Sequence, residues 1–410
     1  MMSHSNPQDT APQPTVEVGV PRQSNLGLIA SLVHHHGSLS RAQLTRRTGL
    51  NRSTVGTLIG QLVGLGLLYE SAPTGEAQVG RPSPEVRPNP SAAALAVNPE
   101  IDAVTVGLVS LGGNVRKKIR FPTDRIPTAR EAVNIAAAVI AGMRSELDSA
   151  YRIVGVGVAV PGLVNRSEGV VRHAPHLGWR DEPVAQMLAE ATGYSCRAAN
   201  DASLGAEAEL IFGAGAGMQN LVYLNGGASG IGGGVVVGGK LLAGASGYAG
   251  ELGHTFVRSE GRACHCGGSG CLETEVSQGP LLTLAATENG GDAVQFEEEL
   301  RARSSRNGNV EVLRQLEYLG IALRNAVNIF NPEAIVLDGF LGILHSISPE
   351  TLPRLLRMQA LDGPADQVHI YRAELGSDSM MIGAAELAFA PLLADPTSSV
   401  IATPLRFASP

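Results

Sequence analysis

Between about residues 95 and 391 the chain runs twice through a series of strand-like and helical segments, and this order leaves few architectures open. In the first series "AVTVGLVS" and "VRKKIRFP" flank the turn Leu111-Gly112-Gly113-Asn114. A helix over about 128–148 follows, then the apolar strand "IVGVGVAVPG", a helix over 182–192, the strand "CRAAN" and a helix over 202–212. The second series opens with "NLVYLNGG" and "GIGGGVVVGGKLL" and continues with a long helix near 310–330. It closes with the strand "AIVLDG", a strand near 367–371 and a helix over 378–391. Short apolar runs bounded by glycine read as buried strands. Two such series predict two α/β lobes with a cleft between them. The first lobe is placed at 91–205, with the C-terminal helix (about 378–395) packing back on it, and the second at 206–377.

The residues before the lobes differ in charge and in rhythm. Residues 20–90 hold seven arginines against three glutamates, a net of +4, in a chain whose formal charge is −7. A small basic module on an acidic body suggests a local contact with a polyanion and excludes a chain that coats nucleic acid along its length. In "SLSRAQLTRRTGLNRSTVGTLIGQLVGLGLLYE", Ser40 can cap a helix to about Thr48, and Gly49 supplies the turn. Asn51 caps a second helix with Val55, Leu58, Ile59, Leu62 and Leu65 on its apolar face. Thr45, Gly49 and Val55 have helix-turn-helix spacing, and an earlier helix over 24–36 adds Leu26, Ile29, Leu32 and Val33 to the core. In such a module the start of the second helix enters the major groove of double-stranded operator DNA. Here that start is Asn51, Arg52, Ser53 and Thr54, while Arg46 and Arg47 can reach phosphates. "GLLYESAP" and "GRPSPEVRPNP" read either as two strands of a wing, with Arg81 near a minor groove, or as a Pro-rich linker. The module is placed at 21–90, and the Pro/Gln/Ser-rich residues 1–20 read as a disordered tail with no secretory signal. One short recognition helix makes few contacts, so a homodimer or homotetramer on a palindromic site is expected.

No run of about eighteen apolar residues is present, so no membrane span is expected and the chain reads as cytoplasmic. In that compartment the cysteines favour a metal over disulfides. His254, Cys264, Cys266 and Cys271 stand in an H-x9-C-x-C-x4-C arrangement, enough ligands for a closed tetrahedral zinc site with no position left for a catalytic water. Polar residues gather at strand ends. Asn200 and Asp201 follow a strand and precede a helix, Glu251 and His254 lie beyond a hairpin, and Glu273 closes the cysteine cluster. Converging on one cleft, they would suit a polyhydroxylated ligand. Singly, Asp201 reads as a helix cap and Glu251 as a surface charge.

"NDASLGAEAE", "GIGGGVVVGGKLLAGASGYAGELGH" and "CHCGGSGCLE" resemble the ROK family, named for repressors, open reading frames and sugar kinases. The likeness extends over roughly 95–395, and the basic module is similar to the winged helix of the family's repressor branch. The resemblance implies a two-lobed actin-like (ribonuclease-H-like) fold with sugar in the cleft, preceded by a winged helix-turn-helix DNA-binding domain. By position, Asn200 and Asp201 resemble the pair that binds sugar hydroxyls, Asp201 matching the kinases' general base. Glu251, His254 and Glu273 match the other sugar ligands, Gly162 a backbone contact, and His254, Cys264, Cys266 and Cys271 the zinc ligands. His176 stands where members often have Asn.

Where the family's kinases carry the phosphate-binding D-x-G-G-T, this chain reads "AVNPEIDAVTV". Asn98 replaces the acid, Pro99 removes an N–H donor, and Glu100 and Asp102 add negative charge. A like charge within a few ångströms of a phosphate costs on the order of a kcal/mol or more. Phe340 in "IVLDGFLG" departs from the Gly-Gly near adenine in the kinases. The expectation is therefore a regulator, a repressor whose cleft takes a sugar or sugar phosphate and in which Asp201 no longer catalyses. The alternative is an active sugar kinase with an appended DNA-binding domain.

Overall fold

The computed structural model describes residues 24–72, 84–286, 293–307 and 310–398. The expected tail at 1–20 and Arg81 lie outside the described residues.

Ser24 accepts the Gly27 N–H and starts α1 (Asn25–His36). Ser40 and Gln43 form a reciprocal capping box at the start of α2 (Arg41–Thr48), which Gly49 ends at a φ of 71°. Asn51 caps α3 (Arg52–Gly64) by accepting the Thr54 N–H. Each helix thus begins at a side chain that satisfies an otherwise orphan backbone donor. The three pack around Ile29, Val33, Leu44, Val55, Ile59 and Leu62, all fully buried, while Leu32, Leu58 and Leu65 are only partly buried at the rim. Strands β1 (Leu39–Ser40), β2 (Leu68–Ser71) and β3 (Glu85–Pro88) form a small antiparallel sheet in the order β1-β3-β2.

The first lobe is built on β4 (Ala92–Pro99), β5 (Ala103–Ser110) and β6 (Asn114–Pro122), an antiparallel meander. The helix expected over 128–148 is two helices, α4 (Ala129–Gly142) and α5 (Arg144–Ala150). They part at Gly142, where a poor helix former precedes the buried Met143 and Leu147. After β7 (Arg152–Val160) come three short strands, β8 (Leu163–Asn165), β9 (Val170–Ala174) and β10 (Trp179–Glu182), which form their own sheet. Then follow α6 (Val184–Thr192), β11 (Cys196–Asn200) and α7 (Asp201–Phe212). The main sheet has the order β11-β7-β4-β5-β6.

The second lobe repeats that order. Strands β12 (Leu221–Gly227), β13 (Gly230–Val237) and β14 (Lys240–Leu241) are antiparallel, and β15 (Ala334–Asp338) and β16 (His369–Arg372) add in parallel, giving β14-β13-β12-β15-β16. Helix Val310–Phe330 packs in its core. The C-terminal helix Ser379–Ala394 crosses back to lie on β4, β7, β11 and α7. α7 runs through residue 205, so the chain passes from one sheet to the other along a single helix. Among the described residues no helix is long and apolar enough to cross a membrane.

The N-terminal module does not hang free. Its core residues and those of the C-terminal helix form one apolar cluster, and Arg152 on β7 donates to the Leu65 carbonyl at 2.6 Å.

Candidate effector cleft and metal cluster

A cavity of about 360 Å³ opens between the two main sheets. Gly162, Asn200, Asp201, Glu251, His254 and Glu273, all six cleft residues expected from sequence, line it. No Lys or Arg is among the lining residues.

β7 and β11 run parallel and end side by side, which brings Gly162 and Asn200 together. Asn200 caps α7 by accepting the Ser203 N–H at 2.8 Å, and its amide N–H donates to the Gly162 carbonyl at 3.0 Å. One N–H and one lone pair of the carboxamide therefore remain for a ligand. Gly162 has a φ of 131°, and a Cβ there would stand 2.5 Å from the His173 carbonyl oxygen. Only glycine lets the chain turn this close to β9.

Asp201 opens α7, and its Oδ1 accepts the Ala202 N–H at 2.7 Å. Burial pushes its carboxyl up to about 6, and the Glu100 charge adds to the shift. Glu251, just before the turn Leu252–His254, is pushed up to about 7 by burial and then by Asp201 and Glu273. Glu273 sits in the short helix Leu272–Glu275. Its Oε1 accepts from the Cys264 thiol at 3.0 Å and lies 3.1 Å from His265 Nδ1, so this oxygen faces the cysteine cluster as well as the cavity wall.

His254, Cys264, Cys266 and Cys271 bring their ligand atoms within 4.8 Å of one another, an arrangement compatible with a metal ion. Cys264 Sγ is 3.6 Å from His254 Nδ1, and Cys266 Sγ is 3.7 Å from Cys271 Sγ, too far for a disulfide. His254, Cys264, His265 and Glu273 form an overlapping second set. His254 belongs to both and to the cavity wall.

His176 and His265 are among the cavity residues that escaped the sequence reading as ligand groups. His176, noted only as a departure from the family pattern, meets His265 edge-on at 4.6 Å between ring centroids. Burial and then His265 lower its pKa, which favours the neutral ring. Its Nε2 is buried without a partner among the described residues. His265 between two cysteines carried a metal signal, but nothing local placed it beside His176. In the other direction, Phe340 does not stand in the cleft. It is 2% exposed and packs in the second lobe's core against Gly226. The glycine turn at 111–113 also lies away from the cavity, against α1.

In the N-terminal module, Arg46, Arg47, Asn51, Arg52 and Ser53 are exposed and Thr54 half-buried around the start of α3. The Asn51 carboxamide oxygen is used twice locally, by the Thr54 N–H and the Ser53 hydroxyl at 2.7 Å. Arg47 lies 2.7 Å from His36 Nε2, and Arg41 pairs with Glu70 at 2.7 Å.

The ROK family profile matches residues 99–390. The chain belongs to the ROK family. This ROK chain is 24% identical over 394 residues to the xylose repressor of Caldicellulosiruptor bescii, covering 92% of this chain and 98% of that protein. It is 31% identical over 297 residues to the glucokinase of Halalkalibacterium halodurans, covering 68% of this chain and 90% of the enzyme. A crystal structure of a ROK family transcriptional regulator, described as a homolog of the E. coli MLC protein, superposes with a TM-score of 0.74 at 25% identity. That match covers 92% of this ROK chain and 98% of the other. The ROK architecture of two actin-like lobes with a helical N-terminal region is thus shared along nearly the whole chain.

Proposed function

We propose that this ROK protein is a sugar-responsive transcriptional repressor. Its residues 21–90 act as a winged helix-turn-helix on operator DNA, and its cleft takes the effector. The observation that carries this reading is the reach of the likeness. The xylose repressor and the MLC-like regulator align over 92% of the chain, N-terminal module included, whereas the glucokinase covers 68%. Arg52 and Ser53 at the exposed start of α3 read base edges, Asn51 and Thr54 support them, and Arg46 and Arg47 hold phosphates. A homodimer or homotetramer sets two such modules on a palindrome.

The effector is a neutral sugar. Asp201, Glu251 and Glu273 face the cavity with no Lys or Arg among the lining residues, a poor setting for a phosphate dianion and a good one for hydroxyl donors. Asn200, His254 and the Gly162 backbone complete the polar wall, and His176 Nε2 supplies a further contact.

Zinc fits the cysteine cluster. In a tetrahedral site with Zn–S near 2.3 Å and Zn–N near 2.0–2.1 Å, adjacent sulfurs lie about 3.8 Å apart and sulfur and nitrogen about 3.6 Å. The separations of 3.7 and 3.6 Å match those edges. His254, Cys264, Cys266 and Cys271 would hold the ion, which, with all four positions filled by protein, supplies rigidity and no chemistry. Its effect is to fix the His254 ring at the cavity wall.

Phosphoryl transfer is lost in this reading. Glu100 raises the Asp201 pKa by its charge from the turn where a phosphate loop would lie, and Pro99 offers no N–H there. The observation favouring an active kinase is Asp201 itself, a carboxyl deep in the cleft and pushed up to about 6, suited to accept a proton. Two measurements test the reading. Purified protein with Mg-ATP and D-xylose or D-glucose should form no sugar phosphate, and product formation would establish the kinase. A duplex selected from a random pool should be bound specifically and released by one of these sugars. Binding indifferent to both would remove the effector role.

A further inference from the structure

The last turn of α1 is fastened to the body of the protein through two imidazoles. His34, 1% exposed, accepts the Gly112 N–H on Nδ1 at 2.8 Å, and its Nε2 lies 2.8 Å from Oε1 of Glu386, 7% exposed, on the C-terminal helix. Because Nδ1 accepts, the ring's proton sits on Nε2 and is donated to the carboxylate. His35 Nε2 lies 3.8 Å from the other Glu386 oxygen. The three side chains are grouped closely enough for a metal, but an ion on His34 Nε2 would take the ring's last proton or break its bond to Gly112. The trio is a joint between the N-terminal module and the first lobe.

Phe212, the last residue of α7, closes this joint. Its ring meets His34 edge-on at 5.5 Å and His35 at 6.1 Å, and a Cβ on Gly113 would stand 2.9 Å from it. The same helix begins at Asp201 in the cleft. Its twelve residues span about 18 Å, so one rod touches the cavity at one end and α1 at the other. α7 is also bound to the C-terminal helix that carries Glu386. A Cβ on Gly383 would lie 2.2 Å from the Leu204 carbonyl oxygen, so the two backbones touch. Buried Glu209 of α7 accepts the Leu375 N–H at 2.9 Å and the Ser379 hydroxyl at 3.4 Å, at the start of that helix.

We propose that α7 carries the state of the cleft to the DNA-contacting module, with Phe212 and His34 as the positioning residues through which a shift of α7 reorients α1. α1 and α3 share one core, so α3 moves with it. A packed interface of this kind switches between discrete arrangements and does not deform smoothly. The proposal rests on the reading of the cleft as a sugar site.

The test uses the full chain, D-xylose and D-glucose as probes, and the duplex selected by the wild type. Sugar binding is followed by calorimetry, amide exchange in α1 by mass spectrometry, and DNA affinity with and without sugar by anisotropy. In the wild type, the sugar that binds should alter α1 exchange and change DNA affinity about 5-fold or more. Phe212→Leu and His34→Leu should bring that ratio close to one while the sugar Kd stays unchanged. Glu386→Gln, which keeps an acceptor for His34, should retain the coupling. Phe212→Leu preserves most of the buried volume, so it decides the matter if His34→Leu does not fold. Wild-type coupling in Phe212→Leu with normal sugar binding overturns the proposal, as does sugar binding that leaves α1 exchange unchanged in the wild type. Absence of sugar binding in the wild type is a separate result, which removes the sugar reading and the proposal with it.

Discussion

Asp201 and Glu251 show what burial does to single groups in this cleft. Their carboxyls are pushed up to about 6 and about 7, so the folded chain holds these protons more tightly than the unfolded one. As pH rises from about 4 to about 7 the unfolded state sheds them first, and the contribution of this pair to stability falls across that window. The melting temperature of sugar-free wild type, minus that of Asp201→Asn, should therefore decline between pH 4 and 6. Thermal scans over a pH series check this. His254 serves the cysteine cluster and the cavity together, so His254→Ala should lose bound metal, read by elemental analysis, and the sugar response, read by DNA release. Retention of full metal occupancy would separate the two roles. That the six expected cleft residues line one cavity was legible because each sits at a strand end, beyond a hairpin or beside the cysteine cluster. His176 was not, since its importance comes from a buried nitrogen that only packing reveals.

At the scale of elements, the helix starts follow local chemistry closely. Ser40 and Asn51 were readable as caps because a capping bond spans three residues. Ser40→Ala should lower stability by about 1 kcal/mol, measured by denaturant unfolding, without altering DNA contacts. Asn51→Asp keeps an equally good cap but sets a negative charge toward the groove. It should leave the unfolding midpoint in place and weaken specific DNA binding by about 1–3 kcal/mol, as read by anisotropy. A matching loss of stability would mean that Asn51 acts only as a cap. Other elements were less legible. β8, β9 and β10 are three to five residues each, too short to show a period, and they exist because they pair with one another. Strands β2 and β3 also needed the structure, since it is their pairing with each other, and of β3 with β1, that makes them strands.

For the whole molecule, the cluster shared by the N-terminal module and the C-terminal helix predicts that the two unfold together. Calorimetry should show the module and first lobe in one transition, whereas a flexibly tethered module would melt on its own. The two α/β series, the helix-turn-helix and the Cys/His spacing were open to reading from the amino acids because periodicity, caps and ligand spacing act over a few to about twenty residues. That both sheets share one strand order, that Phe340 turns into the core, and that His34 meets Glu386 across 352 positions of sequence were decided by tertiary packing. Such contacts depend on which surfaces the folded lobes bring together, and no local pattern of side chains encodes that choice.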